Sequence, residues 1–406
     1  MLQMVTVVML GYQGSFKKRT RAMHDGCATF FKKSTFECEA VVPVEYFVPG
    51  VASLDRDNVA ILLLLQPKYK LQSAEHTRPV KLCVANTHLL FNPRRGDVKL
   101  AQLMKLFAEI DRLAYEPCPA GPHHQNHHPV LICGDMNMEP FSHLYKFMRG
   151  GKLTLNGQPA AKLSGQERKW SCGHRRPMNA GFLGHHAGLT DQCQYVSVCQ
   201  QRCNKVRSQT DDAVVDDLHC ETPSSSDTRP EGTIFTQGSG VVSHKFGLDS
   251  VYTHYVTVDA DRGRHHRRSA REVTTCHMHA NCTVDYIFYT PSVSDVNHSD
   301  NDFSPNSASG TTHCASGDQS TDEHKCNLPA SDAAPILASN NESLSNVLQK
   351  SRVNNAACEV SDYRLTLLAR LQLLCDQDMK QIGKLPNKFI SSDHLILAAQ
   401  FLLTSG

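Results

Sequence analysis

Four places in the chain put ionisable or amide side chains at the end of an apolar run: Asn86-Thr87-His88, Gly134-Asp135-Met136-Asn137, Val284-Asp285-Tyr286 and Ser391-Ser392-Asp393-His394. Strand ends and the loops after them are where α/β proteins usually build active sites. Taken singly, a Gly-Asp pair is an ordinary turn, and a lone His such as His88 is an ordinary hydrogen-bonded core residue. Asp285 is harder to dismiss, because a carboxylate inside an apolar strand needs a partner or a metal. Four such places together point to one cluster. The chemistry that uses this set is metal-assisted hydrolysis of a phosphate ester. Carboxylates hold Mg²⁺, which prefers oxygen ligands and keeps several waters. One Asp aligns and deprotonates the attacking water, an Asn fixes that Asp or a phosphate oxygen, and a His steadies the pentavalent phosphate.

The elements that must position these groups can be read from the hydrophobic pattern. The runs 59–65, 80–90, 129–134, 249–258 and 283–289 are short and apolar and read as strands. Residues 97–114 carry Leu100, Leu103, Met104, Phe107, Ile110 and Leu113 on one face, the spacing of an amphipathic helix. Residues 140–150 read as a short helix closed by Gly, 363–375 as a helix, and 395–403 as strand or helix. Strands mixed with helices throughout predict an α/β sandwich, and no Gly-rich phosphate loop is present.

The 406 residues are 40% hydrophobic and 20% charged, with a net charge of +2. This excludes a fully disordered polymer, and it removes whole-molecule electrostatic attraction as an argument for nucleic acid. Any anion site must be local. The longest clean apolar run, 59–65, is too short to span a bilayer, so no membrane association is expected. The apolar start 1–10 lacks a charged n-region and reads as folded chain. The 16 Cys are scattered singly, which suits buried thiols in a reducing compartment, cytoplasmic or nuclear. Residues 204–231 and 291–361 are polar and poor in large apolar side chains. They are expected to be disordered insertions in one domain spanning 1–403.

Several stretches together resemble the endonuclease/exonuclease/phosphatase superfamily: Arg19-Thr20, Asp25-Gly26-Cys27-Ala28, LDRDNVAILLLLQPK (54–68), VANTHLLFNPRRGDVKLAQL (84–103), CGDMN (133–137), SGQE (164–167), VDYIFY (284–289) and LPNKFISSDHL (385–395). Within it, the chain is most similar to the deadenylase-like branch and there to the angel proteins, on the SGQE and NPRRGD segments. The resemblance implies a four-layered α/β sandwich, DNase I-like, with two packed mixed sheets and helices outside. It implies a Mg²⁺-dependent phosphoesterase (Mn²⁺ as a substitute) acting on RNA 3′ ends. The reaction is then either 3′–5′ removal of poly(A) or hydrolysis of a terminal 2′,3′-cyclic phosphate. It also implies roles. Asp135 aligns the water and Asn137 orients it and contacts phosphate. His88 contacts the scissile phosphate, Asp285 sits beside metal and phosphate, and His394 stabilises transition-state charge. Asp393 lies at the metal or orients His394, and Asn58 supports the site floor. Arg94 and Arg95, on the loop after His88, either pair with RNA phosphates or are plain surface residues.

The family opens with a strand carrying an Asn and a strand ending in Gln-Glu, whose Glu is the main Mg²⁺ ligand. No Gln-Glu precedes Leu10, and Gln166-Glu167 belongs to the SGQE segment. The chain is therefore expected to lack the first strands and that Glu. A catalytically impaired RNA- or protein-binding relative is the alternative function. Three other polar motifs read more plainly. Cys276-His277-x-His279-x-x-Cys282 has irregular spacing for zinc and reads as a loop. The His-rich 123–128 and the basic run 262–268 read as solvated loops, the latter with RNA contact as a second option.

Overall fold

The computed structural model describes residues 10–68, 80–117, 125–166, 177–210, 237–258, 268–277, 280–291 and 364–404. These all lie in one compact unit, 1–297 with 360–406; a second unit, 298–359, lies outside the described residues.

The unit is organised by a six-stranded sheet. Its strands in chain order are β3 (Phe36–Glu45), β4 (Val59–Pro67), β5 (Leu82–His88), β6 (Val130–Asp135), β7 (Asp249–Ser250) and β8 (Asp285–Tyr289), with β1 (Tyr12–Lys18) and β2 (Gly26–Lys32) forming a hairpin outside it. The spatial order is β7-β8-β6-β5-β4-β3. All neighbours are antiparallel except β5 and β6, which run parallel. A parallel pair needs a long crossover. Here the crossover contains helix α1 (Gly96–Ala114), whose amphipathic stripe fits the sequence expectation.

Burial explains the strand sequences. Central β4 is buried on both faces along Val59–Leu65 and reads as an unbroken apolar run. Edge strand β3 alternates between half-buried and exposed residues and tolerates Pro43, which no central strand would. Ala60, Leu62 and Leu64 of β4, Ile132 of β6, and Tyr286 and Phe288 of β8 point into the main core with Leu103, Phe107 and Ile110 of α1. Helix α2 (His143–Gly150) adds Leu144, Phe147 and Met148 to it. The Ser142 side chain caps this helix by accepting the Tyr145 N–H at 3.2 Å, and Gly151 closes it at φ 69°.

The opposite sheet face is covered by two separate hairpins. Cys27 and Phe31 of β2 pack on Val59, Ile61, Leu63 and Leu65 of β4. A second hairpin, β9 (Arg364–Arg370) with β10 (Ala399–Thr404), brings Leu365, Phe401 and Leu403 against Leu82, Leu131, Ile287 and Tyr289. Where the resemblance implies a second sheet, the described residues thus supply paired hairpins over the two halves of the first.

Several expectations need correction. Of residues 363–375, expected to be a helix, Arg364–Arg370 form β9 instead, and the helix α4 (Asp376–Ile382) comes only after it. An apolar run of this length suits either period, and non-local pairing with β10, including a bulge between Leu367 and Ala369, decided it. The expected strand 249–258 is broken into β7 and a separate Tyr255–Val258 strand by a turn in which His254 has φ 71°. The insertion expected at 204–231 begins inside a helix, α3 (Val196–Thr210), which Arg202 ties to the buried Asp111 at 2.8 Å. Residues 211–231 lie outside the described residues, as do 292–361 of the second insertion; Pro291 bridges to Leu365. Of the His run, His127 is not solvated: it pairs with Asp111 at 3.0 Å. Where a loop was expected at 276–282, Thr275–His277 pairs antiparallel with Ala280–Cys282. The described cysteines are free thiols. No helix among the described residues is long and apolar enough to cross a membrane.

His254 is 1% exposed and hydrogen-bonds the Tyr145 hydroxyl at 2.9 Å. Burial first, and then Arg149, Arg370 and Arg271, push its pKa down to about 3. Below the ordinary pKa of ~6.5, the unfolded chain takes up a proton that the folded chain refuses, so stability falls as pH drops from there towards the folded value. At pH ~5 the loss is about 2 kcal/mol, taking ~1.4 kcal/mol per pH unit. Urea unfolding at neutral pH and at pH ~5 should show an acid loss smaller by that amount in His254→Asn. Equal losses in both proteins would mean that His254 is not the group responsible.

Candidate active site

The parallel pairing sets the site. It places His88 of β5 opposite Asp135 of β6, and antiparallel pairing places Asp135 opposite Asp285 of β8. Three reactive groups therefore share one row across three adjacent strands. By strand alternation, they face the hairpin side of the sheet, with Leu82, Leu131 and Ile287. Gly134 makes the close approach possible. A Cβ there would lie 1.9 Å from the Thr87 carbonyl oxygen, and its φ of 136° suits only glycine. The Gly-Asp pair is thus strand, not turn.

The carboxylates are held from the backbone outward. Asp135 Oδ1 accepts the Asn137 N–H at 2.8 Å, and the Asn137 amide donates to Asp135 Oδ2 at 3.2 Å and to the Leu89 carbonyl at 3.0 Å. This tight turn holds Asn137 at φ 47°. Asp285 is positioned by Thr274, whose buried hydroxyl accepts the N–H groups of Val284 and Asp285 at 3.0 and 3.2 Å. His394 arrives from the C-terminal segment. The Leu395 N–H donates to the Thr274 carbonyl at 2.7 Å and Thr275 Oγ1 donates to the Asp393 carbonyl at 2.8 Å. His394 Nδ1 then meets Asp285 Oδ2 at 2.7 Å. His88 Nε2 stands 3.4 Å from Asp135 Oδ2, with about half its side chain exposed.

The charges follow from this packing. Burial, then the nearby Asp285, pushes the Asp135 carboxyl up to about 7. The Asp285 hydrogen bond raises His394 to about 9, so its imidazole is an imidazolium at neutral pH. Burial lowers His88, helped by Arg19 and His394, and keeps it neutral.

Asp135, Asp285 and His394 each offer a ligand atom, and these atoms lie within 4.8 Å of one another. Because His394 Nδ1 is turned onto Asp285 and protonated, the hard donors left for a divalent cation are the oxygens of Asp135 and Asp285. Two carboxylates, with waters completing the shell, fit Mg²⁺. A cation between them would also relieve the like-charge pressure on Asp135.

The remaining expected residues fall elsewhere. Asn58 is buried beneath the site. Its amide donates to the His88 carbonyl at 3.0 Å and its Oδ1 accepts from Gln102 at 3.2 Å, so it fixes the His88 backbone rather than reaching substrate. Asp393 is exposed at the rim, outside the ligand group, and contributes a carbonyl to the Thr275 contact. The Arg95 guanidinium is engaged by Asp97 through two bonds, at 2.9 and 2.8 Å, which leaves Arg94 as the exposed cation of that loop.

Two functional positions escaped the sequence reading. Lys99, fully buried on α1, donates from Nζ to the Asn137 carbonyl and to Gln166 Oε1, both at 2.6 Å. It locks the turn behind Asp135 to the SGQE segment, and burial pushes its pKa down to about 7. Gln102 accepts the Leu90 N–H at 2.9 Å while bonding Asn58. Both border the apolar stripe of α1, where a Lys or Gln looks like any solvent-facing residue. Only their fixed spacing of three was there to find.

No family model matches the chain. Protein angel homolog 1 of Homo sapiens is 33% identical over 421 residues, covering 97% of this chain and 52% of its own length. Protein angel homolog 2 of Homo sapiens is 34% identical over 395 residues, covering 97% of this chain and 56% of its own. The chain thus spans about half the length of these curated relatives. Among solved structures, ANGEL2, a 2′,3′-cyclic phosphatase in complex with adenosine-2′,3′-vanadate, superimposes with a TM-score of 0.60 at 31% identity, covering 98% of this chain and 76% of that one. The fold is therefore the DNase I-like α/β architecture of the endonuclease/exonuclease/phosphatase superfamily. Within that superfamily, the chain belongs to the angel family.

The Asp285–His394 contact can be measured directly. In metal-free protein, NMR titration of the His394 imidazole should give a pKa of about 9. In Asp285→Asn it should return towards ~6.5. An unchanged value in the variant would mean that the hydrogen bond is not its cause.

Proposed function

We propose that the chain hydrolyses a phosphoester at the 3′ end of RNA with the help of a bound Mg²⁺ (or Mn²⁺), a terminal 2′,3′-cyclic phosphate being the substrate favoured by its likeness to ANGEL2. The observation that carries the reading is the row His88–Asp135–Asp285 with His394 hydrogen-bonded to its last member. The oxygens of Asp135 and Asp285 would hold the cation, which when bound polarises phosphate oxygens.

Each protein group has a role that its environment suits. Asp135, in the middle of the row with its side chain mostly buried, is the acceptor for the proton of the attacking water. Asn137 keeps that carboxylate aimed through its two bonds. His394, charged and oriented through Nδ1, offers its other nitrogen to the charge that develops on phosphate. Neutral His88, at the exposed end of the row, can donate to a phosphate oxygen without repelling His394. When one ribose–oxygen bond to phosphorus breaks, the departing 2′ or 3′ oxygen needs the proton that the imidazolium can give. Removal of poly(A) from the 3′ end uses the same attack on the phosphorus of the last linkage, with the 3′ oxygen of the shortened RNA as leaving group and a 5′-nucleotide released. We place this activity in the cytoplasm or nucleus on the cysteine pattern.

An assay on 2′,3′-cyclic-phosphate-ended RNA and on polyadenylated RNA, with Mg²⁺, Mn²⁺ or EDTA, tests this reading. Turnover should require the cation and fall on the order of a thousandfold in Asp135→Ala and in His394→Ala. Turnover that survives Asp135→Ala, or none on either RNA, would refute it.

A further inference from the structure

Four residues beyond Asn137, Phe141 adopts a left-handed backbone with φ 62° and leaves its ring 47% exposed. A bulky side chain in this conformation costs stability, and such strain persists where the surroundings over-determine it. Beside it lies Tyr255, 49% exposed, at the start of the strand Tyr255–Val258. The two rings are nearly parallel, 17° apart, with centroids 5.7 Å apart. They rest on an aromatic base. Tyr145 meets Phe141 at 5.7 Å and His254 meets it edge-on at 6.1 Å, and both also contact the buried Tyr286. Tyr286 follows Asp285 in the chain, so the exposed pair is packed through to the strand that carries the site.

One cation flanks the rings. Arg271 lies directly opposite Tyr255 across the Tyr255–Val258 and Arg268–Arg271 pair, and its guanidinium sits 3.5 Å from Glu139. Exposed planar faces beside a guanidinium suit single-stranded nucleic acid, because every base has a π-face and every linkage a negative charge.

We propose that Phe141 and Tyr255 form a stacking platform for a nucleobase of single-stranded RNA upstream of the end being hydrolysed. The inference rests on the RNA-end reading above. It adds a binding site that serves the strand and not the reacting phosphate. Because stacking is blind to base identity, the platform favours RNA over mononucleotide without selecting a sequence.

The test compares two substrates that share one reacting group: adenosine 2′,3′-cyclic phosphate, and an oligoribonucleotide ending in that same group. Phe141→Leu and Tyr255→Leu keep apolar volume but remove the π-face, and Phe141→Trp keeps it. In each Leu variant, kcat/KM on the oligonucleotide should fall about tenfold, carried by KM, with the mononucleotide unaffected and the Trp variant near wild type. Equal losses on both substrates, or no loss on the oligonucleotide, would overturn the platform. If the unaltered protein turns over neither substrate, the activity reading fails by itself. The platform is then judged by fluorescence anisotropy with a 3′-phosphorylated oligoribonucleotide. Binding about tenfold weaker in the Leu variants supports it, and equal binding overturns it.

Discussion

The close approach of β5 and β6 at Gly134 is the constraint on which the rest depends. A side chain there would collide with the Thr87 carbonyl, and without tight parallel pairing His88 and Asp135 would not share a row. The same row continues into β8 through Asp285. Sheet register has a period of two, so a slip of one residue would turn all these groups to the opposite face. The site is therefore specified by backbone hydrogen bonds before any side-chain contact is made.

Those backbone positions bring two carboxylates together with little water around them. Burial and mutual repulsion raise Asp135, while Asp285 turns part of its charge outward to hold an imidazolium at His394. The arrangement is a graded series: a carboxyl poised near neutrality, a charged imidazole and a neutral one. Separated values of this kind let one site both accept and supply protons at one pH.

The supporting shell is drawn from the other layer of the molecule. Helix α1 buries Lys99 and Gln102 at the end of its apolar stripe, where they fasten the Asn137 turn and the Asn58–His88 backbone. The helix that completes the parallel crossover thereby also positions the chemistry at its end. On the hairpin side, Thr274 and Thr275 do the corresponding work for Asp285 and His394. The longest of these contacts, between Thr275 and Asp393, joins residues 118 apart, which couples the integrity of the site to that of the fold.

The central strands β4, β5, β6 and β8, the α1 stripe and the carboxylates and histidines of the candidate site were legible in the chain alone. Continuous apolar runs and a helical period of 3.6 are local signals, and Asp285 in an apolar strand or Asp135 after one is conspicuous wherever it folds. Tertiary structure alone decided the rest. Residues 364–370 became strand because β10 offered edge hydrogen bonds that outweighed a helix-compatible pattern. Asn58 found its partner in the His88 carbonyl beneath the site, and Arg95 was claimed by Asp97, because a side chain's partner depends on what packs beside it. Lys99 and Gln102 carried only a spacing of three, which any exposed pair on a helix shares. A polar residue at the margin of an apolar stripe faces water or a buried carbonyl according to where the next layer ends, and that is a property of the assembled layers and not of the chain.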